Sequence, residues 1–141
     1  MKIFVDTWGW VAIADDKDAY HKDAIRLYKD SVLIRGNKLI TSDFVLMETI
    51  TALRKSFGHN RTLQWIQKVN EKSARGFLDI VPAERTLYQK ALQLLTRYSD
   101  KPDISLTDFT SFVVMQEQQI YDVFTGDEHF EQVNLGFRLL K

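Results

Sequence analysis

The apolar run Ile3-Phe4-Val5, closing on Asp6, constrains this chain more than any other stretch. Three successive β-formers with no polar residue between them describe a strand covered on both faces. That is the condition of a strand in a parallel sheet flanked by helices. Open sheets of this kind bind their ligands in the crevice beyond the carboxyl ends of the strands. Asp6 therefore stands where such a fold places chemistry. The pair Asp6-Thr7 also fits the cap of a following helix, and the hexapeptide alone leaves both readings open. Whether further acids arrive at the same edge decides between them.

The 141 residues are enough for one domain with a real core. No linker, repeat or low-complexity tract divides them, so residues 1–141 are read as a single domain. Cysteine is absent, which excludes disulfides, thiolate metal sites and cysteine nucleophiles and fits a reducing compartment. Met1, one lysine and three further apolar residues precede Asp6, too few for the apolar core of a signal peptide. No apolar run has the length of a membrane span. The expectation is a soluble cytoplasmic protein with no membrane partner. Basic and acidic residues balance at 19 each, so the whole-molecule field does not mark a nucleic-acid binder. Any such role must rest on local charge.

Short apolar runs alternate with helical periodicity along the rest of the chain. Thr7 to Ala14 reads as a helix, and Asp15-Asp16-Lys17-Asp18 as a charged break. Tyr20, Ala24, Leu27, Tyr28 and Val32 recur at helical spacing and predict a helix over 19–34, ended by Gly36-Asn37. Lys38 to Thr41 is a strand. A helix capped by Thr41-Ser42-Asp43 runs to Phe57, with Leu46, Ile50, Leu53 and Phe57 on one stripe. Gly58-His59-Asn60 reads as a turn, followed by a helix over 61–72 with Leu63, Ile66 and Val69 inward. A strand is expected over 77–81. Pro82 then opens a helix that turns Leu87, Ala91, Leu94, Leu95 and Tyr98 to one face. After a loop over 99–103, Ser105 starts a helix carrying Phe109, Phe112 and Val113. Tyr121 to Thr125 is a strand, Gly126-Asp127 turns out of it, and 137–140 forms a last edge strand. This alternation predicts an α/β fold, a three-layer α/β/α sandwich around a mainly parallel sheet.

In such a sheet Asp6 and Asp127, each just after a strand, lie at one edge. Asp108 lies in the first turn of the helix that feeds the strand ending at Thr125, so it belongs to the same edge. Glu48 lies within two turns of it on the helix after the second strand. Each acid has a plainer reading. Ser105-Leu106-Thr107-Asp108 fits a capping box, Glu48 fits a solvated helix face, and Asp127 fits a turn. Their topological agreement points to one acidic crevice. Gathered carboxylates repel one another and resist burial, so a cation is expected among them. Oxygen ligands select hard divalent ions, Mg2+ or Mn2+. With no cysteine and only His21, His59 and His129, zinc is disfavoured. His129 falls close to the crevice and reads as a rim or packing residue.

Four segments together resemble PIN-domain ribonucleases, in particular the VapC-like toxins of toxin–antitoxin systems. They are Ile3-Phe4-Val5-Asp6-Thr7, Ser42-Asp43-Phe44-Val45-Leu46-Met47-Glu48-Thr49, Ser105-Leu106-Thr107-Asp108 and Phe124-Thr125-Gly126-Asp127-Glu128-His129-Phe130. The resemblance spans essentially the whole chain. It implies that Asp6, Glu48, Asp108 and Asp127 form a catalytic, metal-binding quartet, with Asp103 as a fifth acid or substitute. It implies that Thr7, Ser105 and Thr125 orient these acids. The implied activity is metal-dependent endonucleolytic hydrolysis of RNA, and the implied partners are RNA, a cognate antitoxin protein and a second copy in a homodimer. A phosphate-binding rim is sought among Arg54, Lys55, Arg61 and Lys68, part of a run from Arg54 to Arg75 with six basic residues and one acid. A solvated helical face explains the same residues.

Three alternatives remain. A PIN-fold RNA- or protein-binding module without catalysis needs no intact acidic set. A receiver-type phosphoryl-transfer domain normally ends its first strand on an acidic pair, whereas Asp6 stands alone. A haloacid-dehalogenase-type phosphatase needs a second Asp two positions on, where this chain has Trp8.

Overall fold

The structure, a computed structural model, describes residues 1–140. The first half of the chain runs β1 (Lys2–Val5), α1 (Thr7–Ala14), α2 (His21–Tyr28), β2 (Lys38–Ser42), α3 (Asp43–Phe57) and α4 (His59–Ala74). The second half runs β3 (Leu78–Val81), α5 (Arg85–Leu95), α6 (Leu106–Glu117), β4 (Asp122–Phe124), α7 (His129–Gln132) and β5 (Arg138–Leu140). The strands form one sheet in the order β3-β2-β1-β4-β5, parallel throughout, with Ile3 opposite Leu39 and Val5 opposite Phe124. Parallel crossovers are right-handed. The chain steps one way from β1 to β3 and the other way from β3 to β5. Helices α1 to α4 therefore cover one face and α5 to α7 the other, as the contacts among α1, α2, α3 and α4 and among α5, α6 and α7 agree. This is the α/β/α sandwich expected from the sequence. The strand order reverses between β1 and β4, so the ligand crevice of such a sheet opens between the ends of these two strands.

The central strands are buried on both faces because the residues that pair there are apolar: Ile3, Phe4 and Val5 on β1, Val123 and Phe124 on β4. Helix α6 is buried all round, from Asp108 to Met115. Phe112 lies edge-on to Phe109 (ring centroids 5.4 Å apart) and to Phe130 (5.0 Å), pairs each contributing about 0.5–1.5 kcal/mol beyond area burial. A helix wrapped in this way carries its first-turn acid into the interior.

Several expected boundaries shift. The helix expected over 19–34 is α2 followed by wider, π-type turns over Lys29–Ile34. The extra residue per turn rotates the buried face, so Ser31 points inward while Leu33 and Ile34 are exposed. Gly58 alone makes the turn between α3 and α4, at a φ of +88° that favours glycine. His59 and Asn60 are already helical. Thr62 takes the inward place expected for Leu63 because its hydroxyl donates back to the Gly58 carbonyl at 2.7 Å, and Leu63 is exposed. The helix expected from Pro82 begins at Arg85. The Pro82-Ala83-Glu84 segment is pinned instead by the Ala83 N–H donating to Asp43 Oδ2 (3.3 Å). Leu95, expected inward, lies partly exposed at the end of α5.

Candidate active site

Asp6 ends β1 and begins α1, and only 3% of its surface is exposed. Its Oδ2 accepts a hydrogen bond from the Thr125 hydroxyl at 3.1 Å. That hydroxyl also accepts from the Asp127 backbone N–H at 3.0 Å. Thr125, the residue after β4, thus ties the two strand ends together. The remaining oxygen of Asp6, Oδ1, is buried with no hydrogen-bond partner among the described residues. Burial, and then the nearby charge of Asp108, push the Asp6 carboxyl up to about 7 against the opposing effect of the Thr7 backbone N–H and the Thr125 hydroxyl.

Asp108 comes to the same place from the opposite face. Ser105 caps α6, its hydroxyl accepting the Asp108 backbone N–H at 3.1 Å. Burial raises the Asp108 carboxyl above its ordinary range; the hydrogen bond from His129 opposes this, and the charges of Asp127 and Glu48 reinforce it. The His129 Nδ1–H donates to Asp108 Oδ2 at 3.0 Å and lies 3.3 Å from Asp127 Oδ1. Asp127 Oδ1 in turn accepts the His129 backbone N–H at 3.0 Å. One oxygen of Asp108, one of Asp127 and a ring nitrogen of His129 lie within 4.8 Å of one another.

Asp6, Asp108 and Asp127 therefore form one electrostatically coupled cluster, and Glu48 reaches it through its effect on Asp108 from the exposed side of α3. Thr7 lies beside α3, where its hydroxyl approaches the Val45 carbonyl (3.5 Å) and the Thr49 hydroxyl (3.4 Å). Asp103 is exposed in the loop before α6, and no hydrogen bond or ion pair joins it to the acids among the described residues. His129, read from the sequence as a rim or packing residue, instead bridges two of the acids. No sequence signal marks the four-residue helix α7 that aims it. Sequence reasoning also misses Thr49, whose hydroxyl donates to the Val45 carbonyl at 2.8 Å and lies 3.4 Å from the Thr7 hydroxyl.

The basic residues do not touch the cluster. Arg54 and Lys55 lie six and seven positions past Glu48 on α3, roughly 9–11 Å along the helix axis. Arg61 pairs with Asp16 (3.7 Å) and sits over the Phe57 ring (4.4 Å). With Lys68 it borders a cavity floored by Trp10 and Trp65. No ion pair joins any of the four to the acids among the described residues.

The acids fit a hard divalent cation. A buried carboxylate oxygen without a donor is costly. Like-charged neighbours add to that cost, and an oxygen-coordinated cation removes both penalties.

Comparison with known proteins identifies the family. Residues 3–135 match the family model described as PIN domain. The chain is 31% identical over 131 residues, 91% of each sequence, to the 23S rRNA-specific endonuclease VapC20 of Mycobacterium tuberculosis. The crystal structure of M. tuberculosis VapC20, described as a sarcin–ricin loop cleaving toxin, superposes with a TM-score of 0.78 at 29% identity and 96% coverage of both chains. DNA-bound VapBC from Salmonella typhimurium shares the fold, with a TM-score of 0.65 at 16% identity over 99% of this chain and 97% of that one. No helix among the described residues is long and apolar enough to cross a membrane. A buried acid at the fold's switch point, joined by acids from both faces of the sheet, is thus found in a chain that belongs to the PIN-domain family, among its VapC proteins.

Proposed function

We propose that this protein is a Mg2+- or Mn2+-dependent endoribonuclease that hydrolyses RNA phosphodiesters and acts as the toxin of a toxin–antitoxin pair. The observation that carries this is the orphaned, buried Oδ1 of Asp6, held beside Asp108 and Asp127. Asp6, Asp108, Asp127 and Glu48 would hold the ion, which would supply Lewis-acid polarisation of a phosphoryl oxygen and activation of an attacking water.

The chain's own residues set that arrangement. Thr125 orients Asp6 and, through the Asp127 backbone, fixes the distance between the two strand ends. Ser105 fixes the first turn of α6 and so the place of Asp108. His129 donates to Asp108 and favours its charged form, the form that ligates a cation. Arg54, Lys55, Arg61 and Lys68 supply local positive charge for the phosphates flanking the cut. The activity of the VapC20 relative makes a ribosomal RNA stem-loop of the sarcin–ricin type the first substrate to test. A cognate antitoxin, homodimer formation and action in the cytoplasm belong to the same reading.

The test is cleavage of that stem-loop RNA with Mg2+ or Mn2+, with and without chelator, by the wild type and by Asp6→Asn. Wild-type cleavage is expected to stop in chelator and to fall by at least about 100-fold in the variant, as for loss of one electrostatic group at a reacting centre. Undiminished cleavage in both would overturn the proposal.

A further inference from the structure

We infer that Trp8 and Tyr20 form a stacking platform for one unpaired nucleobase of the RNA strand, immediately beside the acidic cluster. The inference rests on the ribonuclease reading above and names how that site holds its substrate. Trp8 follows Asp6-Thr7 directly, and its indole packs against Gly126, the residue between Thr125 and Asp127. A Cβ at Gly126 would stand 2.5 Å from the Trp8 ring, so the absence of a side chain at position 126 is what admits the indole. The Tyr20 ring leans on Trp8, with centroids 5.1 Å apart and planes tilted by 46°. More than half of Tyr20 is exposed, at 55%. Together with Phe124, Leu27, Ala24 and Asp23 they line a cavity of about 280 Å3, close to the lower end of the range for small-ligand sites.

The chemistry of the lining selects the occupant. It contains three aromatic rings, two aliphatic side chains and no cation, so it offers π-faces to a base and no charge partner to a phosphate. Its single charged group is the Asp23 carboxylate. One Asp23 oxygen is taken by Arg26 (2.7 Å), and the other is free to accept from the amino edge of a base. Bases extruded from loops are commonly held in this way, stacked on aromatic rings and read on their hydrogen-bonding edges. An apolar side chain of a protein partner would leave the second Asp23 oxygen unused.

Tyr20 is the residue to change. Trp8 supports Gly126 and cannot be removed cleanly, whereas the place of Tyr20 is fixed by its backbone, its N–H donating to Asp18 Oδ1 at 2.9 Å. With the sarcin–ricin stem-loop RNA as probe, Tyr20→Ala is expected to raise KM about tenfold, as for loss of one stacked base, with kcat changed less than about twofold. Tyr20→Phe and Tyr20→Trp should retain the wild-type KM. A stem-loop carrying one abasic nucleotide next to the cut should lose as much with wild type as the intact RNA loses with Tyr20→Ala. The two changes combined should lose no more than either alone. If the wild type cleaves the RNA and Tyr20→Ala leaves KM unchanged, the platform is refuted and the ribonuclease reading stands. That outcome, with weakened capture of a protein partner, would give the cavity to the partner. If the wild type binds RNA in a Tyr20-dependent way without cleaving it, the platform stands and the ribonuclease reading falls. Neither binding nor cleavage by the wild type overturns both.

Discussion

At Asp6, burial and the charges of Asp108 and Asp127 act in the same direction, and the folded protein favours the protonated acid up to about pH 7. The sign of the resulting pH dependence follows from linkage. In the unfolded chain the group ionises near 3.8, so its contribution to stability is intact below that value. It is lost progressively as pH rises from there through about 7. Asn carries no such charge. In chelator, Asp6→Asn should melt higher than the wild type by several degrees at pH 8. The gap should shrink toward zero near pH 4, by up to about 1.4 kcal/mol for each pH step of one between the two ionisation midpoints. Thermal unfolding of both proteins across that range checks it. A variant that gains stability while losing cleavage is the signature of a site strained by like charges. Asp6 and Asp127 were legible in the sequence because each closely follows an apolar strand, a local pattern. His129 was not, because its role depends on which way a four-residue helix turns it toward Asp108, and no periodicity in so short a segment encodes that.

Among the elements, α1 and β4 meet unusually closely. A Cβ on Gly9 would lie 2.3 Å from the Phe124 carbonyl oxygen, so α1 rests directly on the strand end that carries Thr125. Gly9→Ala should cost about 1–3 kcal/mol, the range for overpacking a close contact. It should also reduce cleavage, because the same Phe124 carbonyl oxygen accepts the Asp6 backbone N–H at 3.4 Å; denaturant unfolding and initial rates measure the two effects. Ser105→Ala should cost about 1 kcal/mol by uncapping α6, with a smaller loss of rate. Strands and the longer helices were readable from apolar runs and helical spacing. The misjudged boundaries, at Ser31, Thr62 and Arg85, are set by a π-type turn, a hydroxyl bonding its own backbone and a side chain from α3. These are tertiary or sub-turn effects that spacing does not register.

The whole molecule has no net charge, so its affinity for RNA must come from a few local cations. The salt dependence should therefore be modest, and Lys68→Gln should lower the slope of log affinity against log salt by about 0.7 if that lysine contacts one phosphate. Divalent ions should raise the unfolding free energy with the logarithm of their concentration, by about 2.7 kcal/mol at a hundredfold excess over the dissociation constant, and the melting temperature should rise with it. The bond between the Thr125 hydroxyl and the Asp6 carboxylate joins residues 119 positions apart, and β1 pairs with β4 across almost the same interval. Closing so long a loop is a late and slow event in folding. A nascent chain that has made β1, β2 and β3 still lacks β4, Thr125 and Asp127. Such a chain has no working centre, however much of its sheet has formed. A ribonuclease built in this way assembles its acidic centre only once β4 has been made and paired with β1.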